Sequence, residues 1–150
     1  MFENSIEIHV GRLIEIRTKG FESVADVHTM RRLAKQRTNA LTPDVQLPVV
    51  AADWRQCALL SPDAAEEVLK MFVGANAASE RAALLYSDHS PTAVMQFLRL
   101  IRDSKNPNRR MFSDPVEMAS WLGEVLTQAE SKRLRDFLGL APIVSSLPSR

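Results

Sequence analysis

Three times in this chain a short strand-like run is followed by a capping residue and a proline: Ser61-Pro62, Ser90-Pro91 and Asp114-Pro115. Proline fits the first position of a helix, where its missing N–H would have no partner in any case, and Ser or Asp just before it accepts from the orphan amides of the first turn. Each site therefore marks the passage from a buried strand into a helix. The runs that precede them are "LPVVAA" from Leu47 to Ala52, "RAALLYS" from Arg81 to Ser87 and "RRMFS" from Arg109 to Ser113. The first is almost wholly apolar, which suits a strand covered on both faces, and the alternation of strands with helices implies right-handed crossovers and a mainly parallel sheet.

The segment before these units has a different period. Ile6, Ile8 and Val10 alternate with Glu7 and His9. Val10-Gly11-Arg12 turns the chain, and "LIEIRT" alternates again up to Gly20. Period-2 alternation across a glycine turn predicts an antiparallel hairpin. After Ser23, the spacing of Val24, Val27, Met30 and Ala34 predicts a helix from Val24 to about Thr38, ended by the loop "NALTPD" with Pro43. Three further apolar stripes recur at helical spacing: Ala65, Val68, Leu69 and Phe72; Val94, Phe97, Leu98 and Ile101; Met118, Trp121, Leu122 and Val125. In the last of these helices Glu117 is placed to reach back to the Asp114 cap. Thr127 and Glu130 form a second capping box, opening a short helix stopped by Gly139, and its stripe of Leu134, Phe137 and Leu138 is expected to pack within the chain.

The expected organisation is a domain over 1–126, an added C-terminal helix over 127–139 and a flexible tail over 140–150. The fold class is α/β: a mixed sheet of about five strands, an N-terminal antiparallel hairpin and then mainly parallel strands, flanked by about four helices plus the C-terminal one.

Bulk properties narrow the function. With 19 basic and 18 acidic residues the formal charge is +1, so no long-range field draws the molecule to a polyanion. The local basic run Arg99, Arg102, Lys105, Arg109 and Arg110 has no interleaved aromatic residue to stack on bases, so nucleic-acid binding is not expected. The single Cys57 forms no intrachain bridge, the first ten residues do not read as a leader, and no apolar run approaches the ~18 residues of a membrane span; a cytoplasmic location is expected. The glycines, Gly11, Gly20, Gly74, Gly123 and Gly139, miss every loop between a parallel strand and its following helix, which disfavours a phosphate-cradling loop. His9, His28 and His89 lack metal-ligand spacing, so neither metal nor cofactor is expected.

The order strand, strand, helix, then three strand–helix units, with Gly20-Phe21 closing the hairpin and "RMFSDPVEMASWL" closing the core, resembles the STAS superfamily. More narrowly it is similar to the SpoIIAA-like, anti-sigma-factor antagonist-like bacterial domains, over about Ile6 to Leu126. The resemblance implies a non-enzymatic regulatory or protein-interaction domain whose second helix start meets a protein partner. In the antagonists that junction carries Asp-Ser-Ser with a phosphorylated second Ser. If Asp53 matches the Asp that ends the third strand, Ser61, Pro62 and Asp63 fall on that triplet. A carboxylate then stands at the acceptor position, which implies a domain that is not phospho-switched, with Ser61 acting as an N-cap.

The candidate partner-binding set is Asp53, Trp54, Arg55, Ser61 and Asp63. Trp54 has two readings: an exposed anchor beside Arg55, or an indole folded back to close the core. Two other functions are carried. Relatives of this fold can enclose hydrophobic ligands, and Met30, Met71, Met95, Met111 and Met118 could line a cavity for a small apolar molecule such as a lipid. Third, Cys57 and His89, in neighbouring loops with Asp53 and Asp88, could form a nucleophilic dyad. A homodimer is also compatible with the sequence.

Overall fold

A computed structural model describes residues 4–41 and 46–141 of the chain; Pro43 and the segment 142–150 of the expected tail lie outside the described residues. The elements in chain order are β1 (Ser5–Glu7), β2 (Leu13–Arg17), α1 (Val24–Asn39), β3 (Val49–Asp53), α2 (Pro62–Gly74), β4 (Arg81–Leu85), α3 (Pro91–Ser104), β5 (Arg109–Phe112), α4 (Pro115–Gly123) and α5 (Gln128–Phe137). The sheet runs β1-β2-β3-β4-β5, with β1 antiparallel to β2 and all later pairs parallel.

The cap-and-proline sites act as expected: Ser61 and Ser90 accept from the amides of Ala64 and Ala93 (both 3.2 Å), and Asp114 accepts from Val116 (2.8 Å). Two local expectations change. Ser23 occupies the cap position of α1, but its side chain makes no capping bond. Glu117 is exposed and does not close a box on Asp114, whose carboxylate serves the second amide of α4 instead. The hairpin is also shorter than the alternation suggests. Only Ser5–Glu7 pairs with β2, and the loop reaches β2 through Gly11 at φ +56°.

Successive crossovers in one direction put α1, α2 and α3 on one face of the sheet. Ile14, Ala52 and Leu84 meet Val27, Met30, Ala64, Val68, Phe97 and Leu100 there. On the other face Leu13, Val49, Ala51, Ala83 and Leu85 meet Met118, Trp121 and Leu122 of α4 and Leu134 and Phe137 of α5. The short α5 is thus part of the second core.

Polar contacts that periodicity does not reveal hold α5 in place. Glu15, on the α5 side of β2 and 2% exposed, takes a two-pronged ion pair from Arg133 at 2.7 Å on each oxygen. Glu130 closes the capping box with Thr127 and accepts from the backbone N–H of Arg12 at 2.8 Å. A Cβ on Gly11 would stand 2.1 Å from the Glu130 carboxylate, so α5 requires glycine at that turn.

Candidate functional site

The rim where β3 passes into α2 contains the residues singled out in the sequence, but it does not gather them for chemistry. Asp53 ends β3 and is 7% exposed. It accepts from the backbone and side-chain nitrogens of Arg55 (2.9–3.1 Å) and from Arg17 (3.4 Å). Burial would push its carboxyl up; these bonds and the two guanidinium charges outweigh that and hold it below its ordinary value. Asp53 and Arg55 are each other's partner. Ser61 and Asp63 are exposed at the start of α2, with the Ser61 hydroxyl committed to its capping bond.

Trp54 is turned inward. It is 3% exposed and stands among Phe97 (5.2 Å, edge-on), Phe72 (6.0 Å) and Phe21 (6.1 Å). The exposed-anchor reading of this residue is therefore corrected: the backbone of Trp54 lies at the rim, but its indole closes the core under α2.

The Cys57/His89 pair is not assembled either. Cys57 is buried, its Sγ donates to the Ala58 carbonyl (3.5 Å), and burial pushes the thiol up to about 12, away from thiolate character. His89 is exposed, and its backbone N–H donates to the Ser87 hydroxyl. His9 and His28 stand beside Glu7 and Glu67 at 3.1 and 2.8 Å, and no group of three potential metal ligands occurs among the described residues. The basic run of α3 and β5 disperses: Arg102 meets Asp103, Arg110 covers Trp121, and Arg109 turns into the core.

What the α1–α3 face does hold is space. A cavity of about 280 Å³ lies between the sheet and helices α1 and α2. Its floor is Ile14, Ile16, Val50, Ala52, Ala82 and Leu84, all on one side of three adjacent strands. Trp54, Phe21 and Thr18 line it toward the C-terminal ends of the strands. Arg31, Lys35 and Thr38 of α1, Gly74 at the end of α2, and Ala75, Ala78 and Ser79 beyond it line it toward the N-terminal ends. Its cause is local: alanine stands at positions 34, 52 and 82, where a larger side chain would fill the layer.

Three polar groups in the wall are notable. The Thr18 hydroxyl is buried and has no hydrogen-bond partner among the described residues. Arg109, 7% exposed, donates to Asn76 Oδ1 (2.5 Å) and to the Phe72 carbonyl (3.2 Å) and lies 4.7 Å from the Phe72 ring centroid, so it closes the C-terminal end of α2; burial pulls its guanidinium down to about 10. Arg31 lies against the C-terminal glycine of α2, its Nη2 only 3.4 Å from where a Cβ on Gly74 would stand.

Of the five methionines proposed to line a cavity, Met30 and Met71 do so. Met111 packs against the same core without lining the space, Met118 lies in the opposite core and Met95 is exposed. The sequence signal for the cavity was alanine inside strands rather than methionine on helices.

No protein-family model matches the chain. No curated protein matches its sequence. Among solved structures it is similar to an uncharacterised protein of the DUF3478 family with a SpoIIAA-like fold from Shewanella loihica PV-4, with a TM-score of 0.59 and 17% identity over 79% of this chain and 93% of that one. The chain has a SpoIIAA-like fold, a five-stranded mixed sheet with helices on both faces, as the order of its strand–helix units implies. Among the described residues no helix is long and apolar enough to cross a membrane.

Proposed function

We propose that this SpoIIAA-like fold serves as a binding domain for a small, largely apolar molecule, held between the sheet and helices α1 and α2. The observation that carries the reading is the cavity of about 280 Å³ with predominantly apolar walls. An apolar cavity of about 150 Å³ stays dry and takes up benzene, and ligand pockets start at about 300 Å³. The space here accommodates roughly nine groups of water size at about 30 Å³ each, which suits one medium-length chain. Interiors are normally close-packed, and a void of this size forfeits dispersion contacts along its whole lining. A ligand restores them.

Trp54 and Trp121 are the two tryptophans, and of these Trp54 lines the cavity. A Trp121→Phe protein therefore reports on the site alone. Titration with 1-octanol is expected to give a saturable change in its emission with one site per chain, matched by a retained small-molecule mass in native mass spectrometry. A linear, unsaturable response would remove the reading.

A second reading, a protein-interaction surface at the β3–α2 rim, is supported by Leu59. This side chain is 51% exposed, while Leu60 after it and Cys57 two positions before it are buried. The Gln96 amide fixes it there by pairing with both the N–H and the C=O of Leu60 at 2.9 Å. Arg55, Ser61 and Asp63 flank it and would supply a polar border with Asp53 behind them, as interaction surfaces have. The partner could be a regulator or a second copy of the chain. Sedimentation of the wild type and of Leu59→Asp tests the latter: a concentration-dependent dimer lost in the variant supports it, and two identical monomers oppose it.

A further inference from the structure

Resting on the proposal that the cavity takes an apolar chain, we infer that its natural occupant is an anionic amphiphile with a single alkyl chain, whose acidic head sits on Arg31 and Lys35 at the α1 edge of the cavity. Two observations lead there. The first is that Arg31 and Lys35 line two different spaces at once. They belong to the wall of the apolar cavity, and also to a solvent-facing polar groove along α1 with His28, Arg32, Gln36 and Asn39. An apolar interior and a basic groove thus meet at these two side chains, one helical turn apart and on one face. A molecule entering there passes its chain inward and leaves its head between two cations.

The second observation is that among the described residues these cations have no anion of their own. Arg31 and Lys35 are exposed and form no ion pair among the described residues. Glu67 is already paired, with His28 at 2.8 Å and Lys70 at 3.1 Å. Arg109, deeper in the same wall, is held by neutral acceptors. This end of the cavity therefore carries positive charge against hydrocarbon, and among the described residues no carboxylate pairs with it. The contact of Arg31 with Gly74 places its guanidinium where α1 and α2 approach each other, and guanidinium and ammonium groups bind carboxylate and phosphate heads through short charge-assisted bonds.

The volume decides against a two-chain lipid. About 280 Å³ fits one chain of roughly eight to ten atoms, at ~30 Å³ for each water-sized group. The shared chemistry is an anionic head on one chain, and the carboxylate and phosphate versions are separated by experiment.

The test compares octanoate, octyl phosphate and 1-octanol by isothermal titration at low ionic strength. One protein is the wild type, one is Arg31→Glu with Lys35→Glu, and a control carries the same charge change on α3, Arg99→Glu with Arg102→Glu. At least one anion is expected to bind about tenfold more tightly than the alcohol to the wild type, with an advantage that shrinks as salt is added. The α1 variant is expected to erase that advantage and leave octanol within twofold, and the control to change neither. Whichever anion binds more tightly names the head group. Equal binding of alcohol and anions to the wild type, or an equal loss in the control, overturns the inference and leaves the apolar site standing. Failure of all three to bind removes the proposed function itself.

Discussion

Cys57 and Thr18 show at the level of single side chains what separates the sequence from the structure. The sequence places Cys57 and His89 in neighbouring loops, which is all that loop position conveys. Whether a thiol becomes a nucleophile depends on its surroundings, and here burial raises it to about 12. Alkylation of the folded protein across pH 5 to 9 is expected to be slow, with full labelling only in denaturant; a fast phase near neutrality would restore the dyad. Thr18 differs, because its cost is already present in the folded state. An unpaired buried hydroxyl costs about 1–3 kcal/mol relative to a satisfied one, while an apolar group of the same shape does not incur that penalty. Thr18 is 1% exposed and its hydroxyl lacks a partner among the described residues. Thr18→Val is therefore expected to raise stability by about 1 kcal/mol in urea unfolding. A loss of that size would mean that the hydroxyl has a partner in solution.

The helices show which elements can be recognised before the structure is known. The starts of α2, α3 and α4 were legible because capping and proline act within four residues. The anchorage of α5 was not, since Glu15 and Arg133 are 118 positions apart and Glu15 reads as the polar half of an alternating strand. Its carboxylate instead faces α5 and is almost fully buried. Removing one partner of such a pair strands the other, at about 3–5 kcal/mol when both are buried. Arg133 is 27% exposed, so a smaller loss of about 2–3 kcal/mol is expected for Arg133→Ala. Acid acts on the same helix through Glu130. Burial alone would raise its carboxyl, but bonds from Thr127 and from Arg12 bring it below its ordinary 4.5. A carboxyl depressed in the folded state contributes stability above its unfolded value and loses it as pH falls through the lower folded one. Melting temperature is expected to fall below about pH 4.5, with a shallower slope in Glu130→Gln. Asp53, depressed in the same sense, retains part of that slope. An identical slope in the variant would detach Glu130 from the acid response.

For the molecule as a whole, layering was legible and the void within it was not. Strand runs, their order and the hairpin follow from period and turn residues, which report whether a position is buried. They do not report how well it is filled. Ala52 and Ala82 satisfy the pattern of a covered strand as well as valine would, yet on one face of adjacent strands, two positions out of register, they leave with Ala34 of α1 about 280 Å³. The choice between the two readings of Trp54 was not legible for a related reason: the rim position of its backbone is local, while the direction of the indole depends on Phe72 and Phe97, on two other elements. A space can persist in a core because binding maintains it or because the fold tolerates it, and filling it distinguishes the two. Extra methylenes in a packed layer cost about 1–3 kcal/mol, but in a void they gain contacts at no such cost. Ala52→Leu combined with Ala82→Leu is expected to leave the melting temperature of the ligand-free protein unchanged or higher. The same variant is expected to weaken 1-octanol at least tenfold, because the chain and the new side chains compete for one volume. Unchanged octanol affinity in a folded double variant would place the binding elsewhere.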